Sequence, residues 1–250
     1  MSNYIHFPHG ASLPESIYKY VSFQEHHIRS LLTDELYFSS PDAFNDPYEP
    51  FMLFEGDKRF GEPLTDNLKK SAITCFSRCN NNFTLWSYYA NGMKGICIEY
   101  DTKKLLASLT ADFKAQWLYA FDVKYLEAIT IQTNGEKIES FGKIPVVNLS
   151  NLVELDYNIK GPELIKIFAT KPSVFKSEDE FRLVIRPENS QAEKESMAGL
   201  YKYKRDCIKS IIFGEKTPQA DVTLTKMILG CNIMYKLAKV DKDRFFISVE

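Results

Sequence analysis

The chain has 250 residues, of which 44% are hydrophobic and 26% charged, and its formal net charge is −2. This length is typical of one domain, and the near-neutral charge gives no sign of the basic surface that duplex nucleic acid requires. No apolar run approaches the roughly 20 residues that span a bilayer, and no signal-peptide pattern opens the chain. The five cysteines are scattered, so we expect reduced thiols in a cytoplasmic protein.

The N-terminal part predicts an irregular start followed by a strand, a helix and a strand. Residues 1–16 are rich in His and Pro and predict a flexible arm, ahead of a single domain over residues 17–250. Residues 17–21 are β-prone. Ser22 and Glu25 form a capping-box pattern that predicts a helix from residue 23 to about 32, and residues 37–39 predict the second strand.

The loop that follows this second strand is rich in turn-forming residues. Pro41 and Pro47 exclude a continuous helix, and the side chains of Asp42, Asn45 and Asp46 can accept hydrogen bonds from nearby backbone N–H groups. Such a rigid polar loop at the end of a strand is how binding residues are often presented. A simple connector has the same pattern, so both interpretations stay open.

The rest of the chain mixes helices and strands without regular alternation. Helices are predicted at residues 64–71, 83–90, 102–109, 152–169 and 218–229, and Asn82 can cap the second of these. Strands are predicted at residues 72–77, 95–100, 119–125, 128–132, 181–185, 208–213, 233–237 and 244–249, and an exposed loop at 188–196. This order predicts an α+β fold: one domain with a bent or split, mainly antiparallel sheet flanked by helices.

Several separated motifs together resemble the bacterial "domain of unknown function 2971" family. They are Ile17-Tyr18-Lys19-Tyr20, Leu36 to Pro41, Phe44 to Glu49, Cys75-Phe76-Ser77, Leu85 to Ala90, Gly95 to Tyr100, Val123, Tyr125, Lys171, Glu178 to Arg182 and Ile211 to Gly214. Two positions depart from the family pattern, because Phe175 replaces a usual Trp and Tyr88 a His-like residue. The resemblance supplies motif positions but implies no reaction.

The segment from Glu178 to Arg182 carries the most suggestive charges. If it is a strand, alternation places the side chains of Glu178, Glu180 and Arg182 on one face and those of Phe181 and Leu183 on the other. A solvated strand face with a weak ion pair would show the same pattern. The Glu-x-Glu spacing on a late strand also resembles the ADP-ribosyltransferase superfamily.

That second resemblance implies a function and a set of site residues. It implies NAD as co-substrate, with Glu180 as the catalytic carboxylate that stabilises an oxocarbenium-like centre and Glu178 activating the acceptor. Ligand contacts would come from Lys19, Ser39, Asn45, Asp46, Tyr88, Tyr89 and Arg182. The implied partners are a small molecule and a macromolecular acceptor, and by analogy the setting is a bacterial toxin or a phage-defence effector.

The alternative hypothesis is a non-catalytic module that binds a small molecule or a protein in an aromatic pocket. Trp86, Tyr88, Tyr89, Phe44 and Tyr48 would line this pocket. Trp86 is equally compatible with the core, because it shares a helical face with Tyr89. We expect no metal, since the Cys75–Cys79 spacing has no second pair and no nearby His.

Overall fold

The computed structural model describes residues 4–7, 13–43, 70–111, 116–126, 129–133, 136–140, 168–187 and 196–250. Its strands are β1 (Tyr4–Phe7), β2 (Ser16–Val21), β3 (Glu35–Phe38), β4 (Ala72–Ser77), β5 (Ile96–Asp101), β6 (Gln116–Asp122), β7 (Lys124–Leu126), β8 (Ile129–Thr133), β9 (Glu136–Ser140), β10 (Thr170–Pro172), β11 (Glu180–Pro187), β12 (Gly199–Lys202), β13 (Ile208–Gly214), β14 (Met234–Asp241) and β15 (Phe246–Val249). Its α-helices are α1 (Glu25–Thr33), α2 (Phe83–Tyr88), α3 (Thr102–Leu109) and α4 (Gln219–Leu229). Short 3₁₀ helices cover Pro41–Ala43, Ser173–Glu178 and Arg205–Cys207.

Within these residues, nine strands form one large sheet in the order β1-β6-β11-β4-β2-β5-β13-β14-β15. All neighbours are antiparallel except the pairs β1–β6 and β13–β14. Three small ladders join β3 to β12, β7 to β10 and β8 to β9. The prediction of one mixed domain on a mainly antiparallel sheet is therefore confirmed.

Both faces of the sheet are covered by apolar side chains. One face carries Ile17, Phe76 and Phe181, which join a core that also includes Leu105 and Leu106 of α3. The other face carries Tyr20, Cys97 and Ile212, which pack with Trp86 of α2. Because β11 lies inside this sheet, the side chains of Glu180 and Arg182 on it are buried.

The sheet opens between β2 and β4. These two strands share a single residue pair, Tyr18 with Ser77. Further along β4, Ile73 exchanges two backbone hydrogen bonds of 2.8 Å with Ser39, the residue that follows β3. On the edge of β4 that faces β2, the backbone is thus paired near one end with β2 and near the other end with Ser39. A gap remains between β2 and β4 in the middle.

The helix ends show which local signals decided the structure. The predicted cap at Ser22 is wrong: α1 begins at Glu25 after Gln24, and the Ser22 carbonyl accepts hydrogen bonds from the Gln24 N–H and the His27 ring. At α2 the prediction is confirmed, since Asn82 Oδ1 accepts a 3.0 Å hydrogen bond from the Leu85 N–H.

Some predicted segments cannot be compared in full. The helices at 64–71 and 152–169 and the loop at 188–196 lie almost entirely outside the described residues. The predicted N-terminal arm contains β1, which pairs with β6. Strand β9 was not predicted from the sequence. No helix in the described ranges is both long and apolar enough to cross a membrane.

Candidate functional site

The N-terminal end of β11 carries a buried ion pair between Glu180 and Arg182. Arg182 Nε donates to Glu180 Oε1 and Arg182 Nη2 to Glu180 Oε2, each at 2.9 Å. Arg182 Nη1 donates to the Phe168 carbonyl at 2.8 Å. Only 6% of Glu180 and 2% of Arg182 is exposed, so the pair is shielded from water. A guanidinium that grips both carboxylate oxygens fixes the orientation of the carboxylate.

Lys171 joins this pair to Glu178. Its Nζ donates to Glu178 Oε2 at 2.7 Å, lies 3.5 Å from Glu180 Oε2, and lies 4.6 Å from the centre of the Phe175 ring. We call Lys171, Glu178, Glu180 and Arg182 the carboxylate cluster. It combines two cations with two carboxylates, so its formal charge is balanced.

The predicted strand position of Glu178 is wrong. Glu178 ends the 3₁₀ helix Ser173–Glu178, and Asp179 has a φ of +45°, which turns the chain before β11 begins at Glu180. Alternation therefore explains the shared face of Glu180 and Arg182 but not the position of Glu178. Glu178 reaches the cluster through the turn and through its ion pair with Lys171.

Opposing effects set the pKa of Glu180. Burial raises it, but the charge of Arg182 and its hydrogen bonds, the charge of Lys171 and a hydrogen bond from the Cys75 thiol together lower it to about 2. The Glu180 N–H also donates to the Tyr125 hydroxyl at 2.9 Å. Glu180 is therefore an ionised carboxylate, with both oxygens held, at any pH near neutrality.

Tyr89, which follows the last residue of α2, lies near this cluster, whereas Tyr88 faces elsewhere. The pKa of Tyr89 is raised to about 12, first by burial and then by the charge of Glu178, so Tyr89 lies within electrostatic range of the cluster. Tyr88 is 81% exposed and lines a different groove, together with Phe23 and Pro218. Tyr88 and Tyr89, both predicted to contact a ligand, therefore point to different places.

Trp86 belongs to the core. It is fully buried, its indole N–H donates to the Asn80 carbonyl at 2.9 Å, and its ring packs edge-on against Tyr20 at 5.3 Å. Of the two interpretations that the sequence left open, the structure confirms the core. The aromatic pocket of the alternative hypothesis is therefore not built on Trp86.

Lys19 and Ser39 lie together at a cavity of about 260 Å³ in the gap between β2 and β4. Lys19 Nζ donates to Thr74 Oγ1 and to the Cys75 carbonyl, each at 3.0 Å, and lies 5.2 Å from the centre of the Phe76 ring. Alternation along β4 puts Thr74 and Phe76 on one face and Cys75 on the other.

The cavity and the carboxylate cluster therefore occupy opposite faces of the sheet. Arg182 pairs with Cys75, and Glu180 with Ser77, across the ladder between β11 and β4, so both lie on the face opposite to Thr74. The backbone of β4 separates the two places. Asn45 and Asp46 lie outside the described residues, so their predicted contacts with a ligand stay a prediction.

Sequence reasoning did not include four contributors to these two places. Lys171 and Tyr125 were noticed only as family motif positions, although a lysine shortly before two glutamates in the sequence was a signal for an ion pair. His26 and His27 of α1 both line the cavity, and His27 is half-buried with its pKa lowered by that burial.

Comparison with known proteins gives one match. A family model described as "Protein of unknown function (DUF2971)" matches residues 85–183. This range contains Tyr89 and the whole carboxylate cluster, and it ends one residue after Arg182. Searches of curated proteins and of solved structures each found no match.

Proposed function

We propose that this protein binds NAD and breaks the bond between nicotinamide and ribose, passing the ADP-ribosyl group to water or to a macromolecular acceptor. We also propose that its fold is related to the ADP-ribosyltransferase superfamily. The observation that carries the proposal is the carboxylate of Glu180, which is ionised, buried and fixed by two hydrogen bonds from Arg182. Support for the fold relationship comes from the adjacent positions of β11, β4 and β2 in the split sheet.

The chemistry needs a fixed negative charge. When nicotinamide leaves with the electron pair of the glycosidic bond, positive charge develops on the ribose carbon and ring oxygen. A carboxylate that is already oriented stabilises this charge without reorganising. In the proposal Glu180 supplies that charge, and Arg182 and Lys171 keep it ionised and in place.

The roles proposed for Glu178 and Tyr89 follow from how far their side chains are exposed to solvent. The Glu178 side chain is 13% exposed against 6% for Glu180, so Glu178 is the carboxylate nearer to solvent and to an incoming acceptor. Tyr89 is 52% exposed and provides a ring surface for nicotinamide beside Glu178. Lys19 lies on the other face and has no part in this step. For the setting, we propose a cytoplasmic effector in bacterial conflict, a toxin or a phage-defence protein, by analogy alone.

The test is nicotinamide release from NAD, with cell lysate as a source of acceptor. We expect release by the wild type and a loss on the order of 10²–10³-fold in a Glu180→Gln variant. Since Glu180→Gln leaves Arg182 buried without its partner, Glu178→Gln is the second variant, and Tyr88→Phe is the matched control outside the cluster. No release by the folded wild type, with no thermal shift on adding NAD, would overturn the proposal.

A second candidate is a non-catalytic module that binds a small molecule. The cavity around Lys19 and Ser39 favours it, because its volume of about 260 Å³ approaches the range of roughly 300–1,000 Å³ typical of ligand sites. Val21, Leu31 and Ile98 supply apolar walls beside its polar groups. A ligand that raises the melting temperature without being consumed would favour this candidate over NAD cleavage.

A further inference from the structure

Among the described residues, Lys19 differs from the buried cations Lys171 and Arg182 in having no carboxylate partner. Lys171 and Arg182 each pair with a glutamate. Within the described part of the chain, Lys19 Nζ donates only to two neutral oxygens, Thr74 Oγ1 and the Cys75 carbonyl. No direct ion pair with a described residue therefore offsets the cost of desolvating an ammonium ion at this position.

The number of hydrogen-bond acceptors beside Lys19 Nζ matches an uncharged amine. An ammonium group has three N–H donors, whereas a neutral amine has two donors and one lone pair. The two acceptors beside Lys19 satisfy the two donors of the neutral form and leave its lone pair free. Burial lowers the pKa of Lys19 further than the charges of Cys75 and Glu180 raise it, which agrees with this count.

The amine also has room for a reaction partner. It lies on the wall of the cavity of about 260 Å³, which holds one small ring more easily than a whole dinucleotide. A small molecule that enters would be enclosed mainly by apolar side chains, where a neutral nucleophile is favoured over an ion.

We propose that Lys19 is a covalent binding residue that forms an imine with a small aldehyde or ketone in this cavity. The amine lone pair attacks the carbonyl carbon, and the carbonyl electron pair moves to oxygen. Two protons pass from nitrogen to that oxygen, water leaves, and a carbon–nitrogen double bond remains. The step needs no oxidant or reductant. This inference rests on the second candidate function, ligand binding in the cavity, and does not depend on NAD cleavage.

Other titratable groups surround the amine. Those that line the cavity are His26, His27, Glu35, Tyr37, Cys75, Tyr100 and Tyr203. Glu35 accepts a hydrogen bond from the Thr33 hydroxyl at 2.6 Å, so it is engaged at the rim. The imidazoles of His26 and His27 are the groups suited to carry protons in imine formation near neutral pH.

The experiment is reductive trapping with pyridine-4-carboxaldehyde and cyanoborohydride, followed by mass mapping of the modified lysines. Lys202, which is exposed on β12, is the internal reference in the same molecule. We expect Lys19 to be modified several times faster than Lys202 near pH 7.5, because burial lowers the pKa of Lys19 and so raises the neutral, reactive fraction of its amine. Its modification should also reach half of its maximum at a lower pH.

Two controls separate the possible outcomes. Lys19→Met keeps the length of the side chain and should lose this modification while Lys202 is still labelled. Pyridine-4-methanol has the same ring without a carbonyl group, and its thermal shift reports non-covalent binding alone. If Lys19 reacts no faster than Lys202, the imine proposal is overturned. A thermal shift caused by pyridine-4-methanol in that case would still support non-covalent ligand binding in the cavity. Faster labelling of Lys19 with NAD cleavage absent would support the imine site independently.

Discussion

Arg182 holds Glu180, two residues before it on the same strand, through two parallel hydrogen bonds of 2.9 Å, and both side chains are almost completely buried. The pair lies in the interior of a nine-stranded sheet between β6 and β4. Charges in such a place depend on each other, because neither can be solvated once its partner is gone. This dependence sets the first prediction.

Replacing Arg182 with Ala should destabilise the fold by about 3–5 kcal/mol, because it leaves a buried carboxylate without its main partner. The matched control is Lys239→Ala, which removes an exposed ion pair with Glu250 at 2.7 Å and should cost less than about 1 kcal/mol. Urea unfolding followed by circular dichroism measures both. A double variant, Glu180→Gln with Arg182→Met, should be less destabilised than Arg182→Ala. Equal costs for the Arg182 and Lys239 variants would show that the buried pair is not stabilising.

The low pKa of Glu180 predicts how stability depends on acid. The folded protein holds this carboxyl with a pKa of about 2, whereas an unfolded chain has about 4.3. The unfolded state therefore binds the proton more tightly, so this contribution is complete above about pH 5 and is lost as the pH falls toward 2. It amounts to about 3 kcal/mol near neutrality.

Urea unfolding at pH 7, 5, 4 and 3 checks this prediction. The wild type should lose stability more steeply below pH 5 than the double variant that lacks both charges of the pair. Comparing the two proteins removes the contribution of the other carboxylates, which titrate in both. Parallel curves for the two proteins would contradict the low pKa.

Local patterns predicted much of this fold because they act over a few residues. The period of two along residues 180–185 correctly placed Glu180 and Arg182 on one face, and Asn82 correctly marked the start of α2. Glu178 was misplaced because the positive φ of Asp179, a residue type that tolerates this conformation without requiring it, breaks the alternation.

Lys19 and Glu180 lie on opposite faces of the sheet, and this placement depends on the arrangement of the whole sheet. Local sequence patterns therefore could not predict it. The strands of these two residues are separated by about 160 residues in sequence, and the order in which β2, β4 and β11 lie together decides which faces they share. Periodicity gives two faces to each strand but does not give the register between strands. The cavity has the same origin, since it exists because β2 and β4 pair at only one position.

Trp86 and Tyr88 lie two residues apart on α2 and should respond in opposite ways to truncation. Trp86→Ala removes a fully buried ring and the hydrogen bond to the Asn80 carbonyl, so it should cost about 3–5 kcal/mol. Tyr88→Ala removes a side chain that is 81% exposed and should change stability by no more than about 0.5 kcal/mol. Thermal melts of the two variants measure the contrast. Similar melting temperatures would mean that α2 is not anchored by Trp86.

Gly214 and Gly199 offer a test of close backbone packing at the end of β13. A Cβ atom on Gly214 would lie 2.2 Å from the Met93 carbonyl oxygen, whereas a Cβ atom on Gly199 would meet nothing within 4 Å. Gly214→Ala must therefore push the backbone at Met93 away from β13, and we expect a loss of about 1–3 kcal/mol or more. Gly199→Ala should be neutral or stabilising by up to about 1 kcal/mol, because alanine reduces the freedom of the unfolded chain. Urea midpoints of the two variants decide the matter: if Gly214→Ala is as stable as the wild type, the contact between Met93 and β13 is looser than the structure has it.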